Sequence, residues 1–151
     1  MLQNQHKIFR LGECICPVYD NSRVFDTSKL PTFVDWSHVS VKKYFTKEVA
    51  HGSGVYVFVF KRISDGLEYV SYVGSAVNVK TRLKNHFQVA VYNYFYKNDY
   101  NLSVFYCHHK NYREMESFII RTLKPLFNVH YNSNNICSKE YWEKEYAFLI
   151  K

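Results

Sequence analysis

The sequence predicts an α/β fold, more narrowly α+β: a small sandwich in which helices flank a central, mainly antiparallel three-stranded sheet. Two runs rich in β-branched and aromatic residues, 54–62 and 67–74, flank the turn-forming residues 64–66 and predict a hairpin. A third such run follows at 102–108. With 151 residues, the chain has the length of one domain with a core of its own.

The segment before the hairpin is predicted to begin irregularly and to end as a helix. Prolines and a polar run interrupt any period in residues 1–34. From Asp35, the stretch "DWSHVSVKKYFTKEVAHG" predicts a helix of about three turns, capped by Asp35 or Ser37 and ending before Gly52. Its apolar stripe would comprise Val41, Tyr44, Phe45 and Val49.

Three further helices are predicted after the hairpin. Asn78 is suited to cap a long helix over 79–94. Asn111 caps the next, "YREMESFIIRTLK", which Pro125 stops, and a last helix over 138–150 closes the chain. The residues of the 79–94 helix that would face the core are Leu83, Phe87, Val91 and Tyr94.

The charge of the chain favours a polyanionic partner such as nucleic acid. The formal net charge is +7 and the sequence pI is near 9.2. A basic surface without a specific partner is the alternative, and charge alone does not separate the two. The sequence has no apolar run of the roughly eighteen residues that a membrane helix needs, and no signal-peptide core. Its four cysteines therefore predict reduced thiols in a cytosol-like compartment.

Four short motifs occur in order along the predicted hairpin and helices. They are Gly54-Val55-Tyr56, Tyr72-Val73-Gly74, Arg82 with His86 four residues later, and Glu116 followed by Pro125 and Asn128. Each is weak by itself, but the ordered set over residues 52–130 resembles the GIY-YIG nuclease superfamily. The stretch "YVGSAVNVKTRLKNHF" is most similar to the homing-endonuclease branch found in phages and organelles. Valine replaces isoleucine in both tripeptides, which leaves the tyrosines and glycines in place.

The charged residues of these motifs suit phosphodiester hydrolysis, which needs an activated water, a cation at the phosphate and help for the leaving oxygen. Arg82 offers a fork of donors, and His86, predicted on the same helix face, exchanges protons near neutral pH. Glu116 lies among apolar residues in the sequence, where a carboxylate needs a partner such as a divalent metal. The structural alternatives are a solvated basic helix face and a surface glutamate near a helix start.

The resemblance implies further roles. Tyr56 would be the general base, Tyr72 would orient water or phosphate, and Asn128 would brace the site. A free phenol has a pKa of about 10, so Tyr56 would need nearby cations to ionise at neutral pH. Lys80 and Lys84 point differently from Arg82 and are expected to contact flanking phosphates. The alternatives are core tyrosines on strands and a turn-forming asparagine.

The hairpin raises a difficulty of register. With a two-residue turn at Asp65-Gly66, Tyr56 and Tyr72 would face opposite sides of the sheet, because side chains alternate along a strand. A shared site therefore requires an odd-length loop or a β-bulge. We expect this irregularity between residues 60 and 70.

The predicted function is a DNA endonuclease, dependent on Mg²⁺ or Mn²⁺, of homing, restriction or nicking type, acting on double-stranded DNA. A catalytically silent nucleic-acid-binding or regulatory module on the same fold is the alternative. No membrane association is expected. The predicted location is the cytoplasm of a bacterial or phage-infected cell, with an organellar matrix left open.

Within one domain, 1–151, we expect a nuclease core at 52–130, an N-terminal extension at 1–51 and a C-terminal helix within 131–151. Three roles are open for the extension: it reads DNA, forms the interface of a possible homodimer, or extends the core. One active site cuts one strand, so a double-strand cut requires a dimer or two successive events.

Overall fold

A four-stranded antiparallel sheet forms the centre of the computed structural model, which describes residues 25–123 together with Pro125 and Asn128. The order across the sheet is β1-β4-β2-β3. The strands are β1 Ser37–Ser40, β2 Gly54–Arg62, β3 Glu68–Ala76 and β4 Tyr100–His108. Among the described strands, β3 therefore lies at the edge of the sheet and pairs only with β2. The predicted helix at 138–150 and the residues before Phe25 lie outside the described residues.

Helices cover both faces of this sheet. The helices within the described residues are α1 Val79–Lys84, α2 Phe87–Val91, which continues into a π-helical turn Tyr92–Tyr96, and α3 Tyr112–Leu123. Between Phe25 and α1 lie two 3₁₀ turns, Thr27–Lys29 and Phe45–Glu48. None of the helices in the described part is long and apolar enough to cross a membrane.

The two faces carry separate apolar clusters. The first face holds Tyr56, Phe58 and Phe60 of β2, packed with residues of α1 and α2. The second face holds the alternate β2 residues, Val55, Val57 and Val59, packed with α3. This alternation follows from the period of two along a strand that is buried on both sides. The α+β prediction is therefore confirmed.

The predicted helix from Asp35 is wrong, and its first half is instead β1, the fourth strand of the sheet. β1 pairs with β4, with Ser37 opposite Tyr106 and Val39 opposite Val104. Serine and β-branched valine are weak helix formers, so pairing with the open edge of β4 prevails over the helical spacing of the apolar residues. Of the predicted apolar stripe, Phe45 and Val49 are buried, whereas Tyr44 is exposed.

The predicted helix over 79–94 is interrupted after Lys84. His86 caps a second helix, because its Nδ1 accepts a hydrogen bond from the backbone N–H of Gln88 at 3.1 Å. The π-helical turn then shifts the phase of the chain, so that Tyr92 and Tyr96 are buried while Tyr94 is exposed. The sequence predicted that Arg82 and His86 lie one turn apart on a continuous helix. In the structure they belong to two different helices, so this prediction is wrong.

A β-bulge in β3 resolves the register of the hairpin. Val59 lies opposite Val70, whereas Phe58 lies opposite Tyr72, so Ser71 is an extra residue in β3. The bulge lies just beyond the predicted interval of 60–70. Because of it, Tyr56 and Tyr72 face the same side of the sheet, and that part of the prediction is confirmed.

Candidate active site

Tyr56 lies at the centre of the site, on the first face of the sheet. Its side chain is 1% exposed, and its backbone lies opposite Gly74 of β3. A side chain at Gly74 would overlap the phenol ring of Tyr56. The glycine of the second tripeptide therefore leaves the space in which the tyrosine of the first tripeptide lies.

Tyr72 and His86 complete an aromatic cluster with Tyr56. The ring centroids of Tyr56 and Tyr72 are 6.4 Å apart, and the two rings are stacked at an interplanar angle of 27°. The His86 ring lies 5.3 Å from that of Tyr56 and 5.0 Å from that of Tyr72. Three of the predicted site residues, from β2, β3 and the start of α2, are thus in direct contact.

The hydrogen bonds of His86 define its tautomer. Because Nδ1 accepts from the Gln88 backbone, the neutral ring carries its proton on Nε2. That Nε2 lies 3.1 Å from the Tyr56 hydroxyl and therefore donates to it. Burial, with a smaller contribution from the positive charge of Arg82, lowers the pKa of His86 to about 3. At neutral pH the ring is a neutral donor, not an imidazolium acid.

Burial also determines the state of Tyr56. It raises the pKa of this phenol well above the ordinary 10.0, and the charges of Tyr72 and Glu116 act in the same direction. The charge of Arg82 and its hydrogen bond to Tyr56 lower the pKa, but they do not outweigh burial. The phenol is therefore protonated at neutral pH in the free protein.

Arg82 extends from α1 toward this cluster while remaining exposed to solvent. Its charge lowers the pKa of Tyr56, Tyr72 and His86, which places the guanidinium near all three groups. Lys80 is half-buried and Lys84 is exposed on the same helix. α1 begins at Asn78, whose side-chain oxygen accepts from the Thr81 backbone N–H, as the sequence predicted.

Glu116 approaches the cluster from the other side of the sheet. It belongs to α3, whose residues Met115, Ile119 and Ile120 pack on the second face. Its Oε1 accepts a hydrogen bond of 2.9 Å from Ser75 Oγ, on the edge strand β3. Its charge still raises the pKa of both site tyrosines, although burial is the larger cause in each case.

The carboxylate of Glu116 is compatible with one kind of metal ion. The described residues contain no group of three or more His, Cys, Asp or Glu side chains placed to hold a metal. Mg²⁺ and Mn²⁺ prefer oxygen ligands, and Mg²⁺ keeps several waters and is held by one or two carboxylates together with substrate phosphates. One carboxylate beside a hydroxyl at the sheet edge suits that chemistry.

Asn128 braces the edge strand between the two tripeptide residues Tyr72 and Gly74. Its Oδ1 accepts from the backbone N–H of Val73, and its Nδ2 donates to the carbonyl of Val73, each at 2.8 Å. The side chain is buried, with 5% exposure. It therefore occupies the backbone groups that an edge strand leaves unpaired.

Two serines contribute to this arrangement that were not among the residues predicted from the sequence. Ser71 is the bulge residue, and the only signal for it was the parity conflict between Tyr56 and Tyr72. Ser75 holds Glu116, and its one sequence signal is its position directly after the second tripeptide.

The comparisons with known proteins agree with this geometry. A profile of the GIY-YIG catalytic domain matches residues 52–145, more than half of the chain. Neither the curated proteins nor the solved structures give a match. The similarity to the homing-endonuclease branch stays a prediction. The matched region contains the tyrosine pair on β2 and β3, with Arg82 and Glu116 beside it, and the protein therefore belongs to the GIY-YIG family, whose members are nucleases.

Proposed function

We propose that the protein is a divalent-metal-dependent DNA endonuclease that hydrolyses phosphodiester bonds. The observation that carries this proposal is the convergence of a buried tyrosine with a neutral histidine donor and an arginine, while a carboxylate reaches the same strand edge. Catalytic roles are proposed for Tyr56, Tyr72, Arg82, His86, Glu116 and Asn128.

Tyr56 is the proposed general base, and its neighbours stabilise the phenolate that this role requires. The Nε2–H of His86 already donates to the phenol oxygen, so the same bond strengthens when that oxygen becomes negative. Arg82 contributes positive charge from α1. His86 keeps its proton throughout, which replaces the proton-transfer role predicted from the sequence.

Glu116 is the proposed metal ligand, with Ser75 orienting its carboxylate. A Mg²⁺ or Mn²⁺ ion bound there would supply positive charge beside the scissile phosphate and lower the pKa of the adjacent phenols. Without such a cation, the charge of Glu116 raises the pKa of Tyr56 and opposes its ionisation. Because Glu116 alone raises the pKa of Tyr56, we propose that cleavage requires a metal ion at this carboxylate.

Arg82 is proposed to hold the phosphate at the cut, whereas Lys80 and Lys84 contact neighbouring phosphates. The guanidinium lies near the tyrosine cluster, and its planar fork matches two phosphate oxygens. A monomer with one such site is expected to nick double-stranded DNA. A homodimer, or two successive nicks, would give a double-strand cut.

Incubation of supercoiled plasmid with the purified protein tests the proposal. Nicked or linear DNA should form with Mg²⁺ or Mn²⁺ and not with EDTA. Glu116→Gln should remove cleavage while leaving DNA binding intact, and Arg82→Ala should lower turnover by about 10²-fold. Lys84→Ala, an exposed change on the same helix, serves as the control and should weaken binding only modestly. DNA binding without any metal-dependent cleavage would instead identify a silent binding module.

A further inference from the structure

Tyr44 has an unusual combination of backbone strain and exposure. Its backbone is left-handed, with φ 64° and ψ 23°, and among the described residues it is the one non-glycine with positive φ. Bulky L-residues avoid this region because of the clash of their Cβ. The ring is nevertheless 64% exposed, so burial of the side chain does not account for the strain. Strain held at an exposed aromatic residue suggests a function for the ring.

Lysines surround this ring. The Nζ of Lys43 lies 5.1 Å and that of Lys47 lies 5.0 Å from the ring centroid of Tyr44. Lys42 is also exposed, and Glu48 is the one acidic residue of the turn. Since lysine side chains are long and flexible, the ammonium groups can leave the ring for nearby anions.

The segment is held firmly in place on the first face of the sheet. Phe45, the first residue of the turn, and Val49, which follows its last residue, are buried in the same apolar cluster as Tyr56. The hydroxyl of Tyr106 donates to the carbonyl of Glu48 at 3.2 Å. The core therefore fixes the backbone that presents Tyr44 to solvent.

The turn also adjoins α1, the helix that carries Arg82. The two elements pack against each other. The backbone N–H of Val79 donates to the carbonyl of Gly52 at 2.9 Å, and Asn78 Nδ2 lies 2.9 Å from His51 Nδ1. The lysines around Tyr44 and the cations of α1 thus lie on one side of the sheet.

We propose that Tyr44, with Lys42, Lys43 and Lys47, is a DNA-contacting surface that binds the strand flanking the scissile phosphate. The lysines pair with phosphates, and the ring packs against a base or a deoxyribose. The charge of the turn complements DNA, and the net charge of +7 favours the same partner. This inference rests on the proposed function. The surface precedes residues 52–145, so it adds to the matched catalytic domain rather than belonging to it.

Substitution by glycine separates a DNA-binding role from a structural one. Glycine adopts the backbone angles of Tyr44 without strain, so Tyr44→Gly should not lower the melting temperature. It should weaken binding of a fluorescent DNA duplex, measured by anisotropy in EDTA so that the DNA stays intact, by about 5- to 10-fold. Tyr44→Asn, which also tolerates a left-handed backbone, should behave in the same way. Lys43→Ala and Lys47→Ala should each reduce the slope of log K against log salt concentration by about 1, the value for one phosphate contact.

Phe118→Ala is the matched control, because Phe118 is another exposed aromatic residue, 59% exposed, on α3 across the sheet. Its DNA affinity should equal that of the unaltered protein. Unchanged affinity in both Tyr44 variants would overturn the inference, as would an equal loss in Phe118→Ala. If the unaltered protein binds no DNA, the proposed function itself fails. Binding and cleavage by the unaltered protein, with normal affinity in the Tyr44 variants, would remove only this surface.

Discussion

One imidazole ring links the start of a helix to the central tyrosine: His86 donates from Nε2 to the Tyr56 hydroxyl at 3.1 Å and accepts at Nδ1 from the Gln88 backbone. The first bond orients the phenol oxygen, and the second caps α2. Since both bonds require the neutral tautomer with hydrogen on Nε2, capping and phenol orientation depend on the same protonation state.

The substitution His86→Asn should separate these two bonds. The asparagine oxygen can still cap α2, but this shorter side chain does not reach the Tyr56 hydroxyl. We expect near-normal folding and a loss of roughly 10- to 100-fold in plasmid cleavage rate, with DNA affinity unchanged. The comparison is His86→Ala, which should lose the cap as well and melt at a lower temperature. Full activity in His86→Asn would show that the bond to Tyr56 has no role in cleavage.

Stability should fall in acid because His86 is buried neutral. Its pKa is lowered from 6.5 to about 3, so between these values the unfolded chain binds a proton that the folded chain does not. The stabilisation is complete above pH 6.5 and is lost as the pH falls toward 3, by up to about 1.4 kcal/mol per pH unit. Urea unfolding at about pH 7 and about pH 5 measures this loss. The loss should be smaller in His86→Asn. An equal change of the free energy of unfolding with pH in the two proteins would show that His86 is not its cause.

Cleavage should accelerate with pH if Tyr56 is the base. Burial raises the pKa of Tyr56 above 10.0 in the free protein, so the phenolate fraction grows with each pH unit below that value. We expect the cleavage rate under saturating metal to rise by up to tenfold per unit between about pH 7 and about pH 9. Tyr56→Phe should be inactive across the range. A rate that is independent of pH, with cutting chemistry limiting, would exclude the tyrosine as base.

Local patterns predicted the hairpin and the cap of α1 well. The β2 run is apolar, β-branched and aromatic throughout, and it forms the strand Gly54–Arg62 over the predicted range. Asn78 caps α1 because its position before a helical period allows its side chain to accept from Thr81. These features depend on neighbours in sequence. The family could be identified for the same reason, because each of its motifs is a short stretch of the sequence.

Features that depend on distant partners were missed or misplaced. Whether residues 37–40 form a helix or a strand depends on the open edge of β4, more than sixty residues away. The position of the His86 ring depends on its bond to Tyr56, 30 residues earlier in the chain, and the approach of Glu116 depends on Ser75, 41 residues earlier. The parity rule required an irregularity in the hairpin but did not locate it at Ser71.

Gly74→Ala should disturb the site more than the fold. The added methyl group would overlap the ring of Tyr56, which must then move away from His86. We expect a loss of at least about tenfold in cleavage and about 1–3 kcal/mol in the free energy of unfolding. Gly66→Ala is the control, since Gly66 has φ +75° in the hairpin turn and its substitution strains the backbone away from the site. That variant should lose stability and keep its activity per folded molecule.

Asn128→Asp should make stability depend on pH in the opposite direction to His86. A protonated carboxyl can replace the amide, accepting from the Val73 N–H and donating to the Val73 carbonyl, whereas a carboxylate faces that carbonyl without a proton to share. Burial at this position raises the pKa of the introduced group above its unfolded value of about 3.9. The stabilisation is therefore present below the unfolded pKa and is lost as the pH rises through the folded pKa. Urea unfolding should be measured at pH values below and above the folded pKa. The free energy of unfolding of Asn128→Asp should rise relative to that of Asn128→Ala as the pH falls, because alanine removes both bonds at every pH. A constant difference between the two variants would mean that the paired bonds to Val73 do not stabilise the edge strand beside Tyr72.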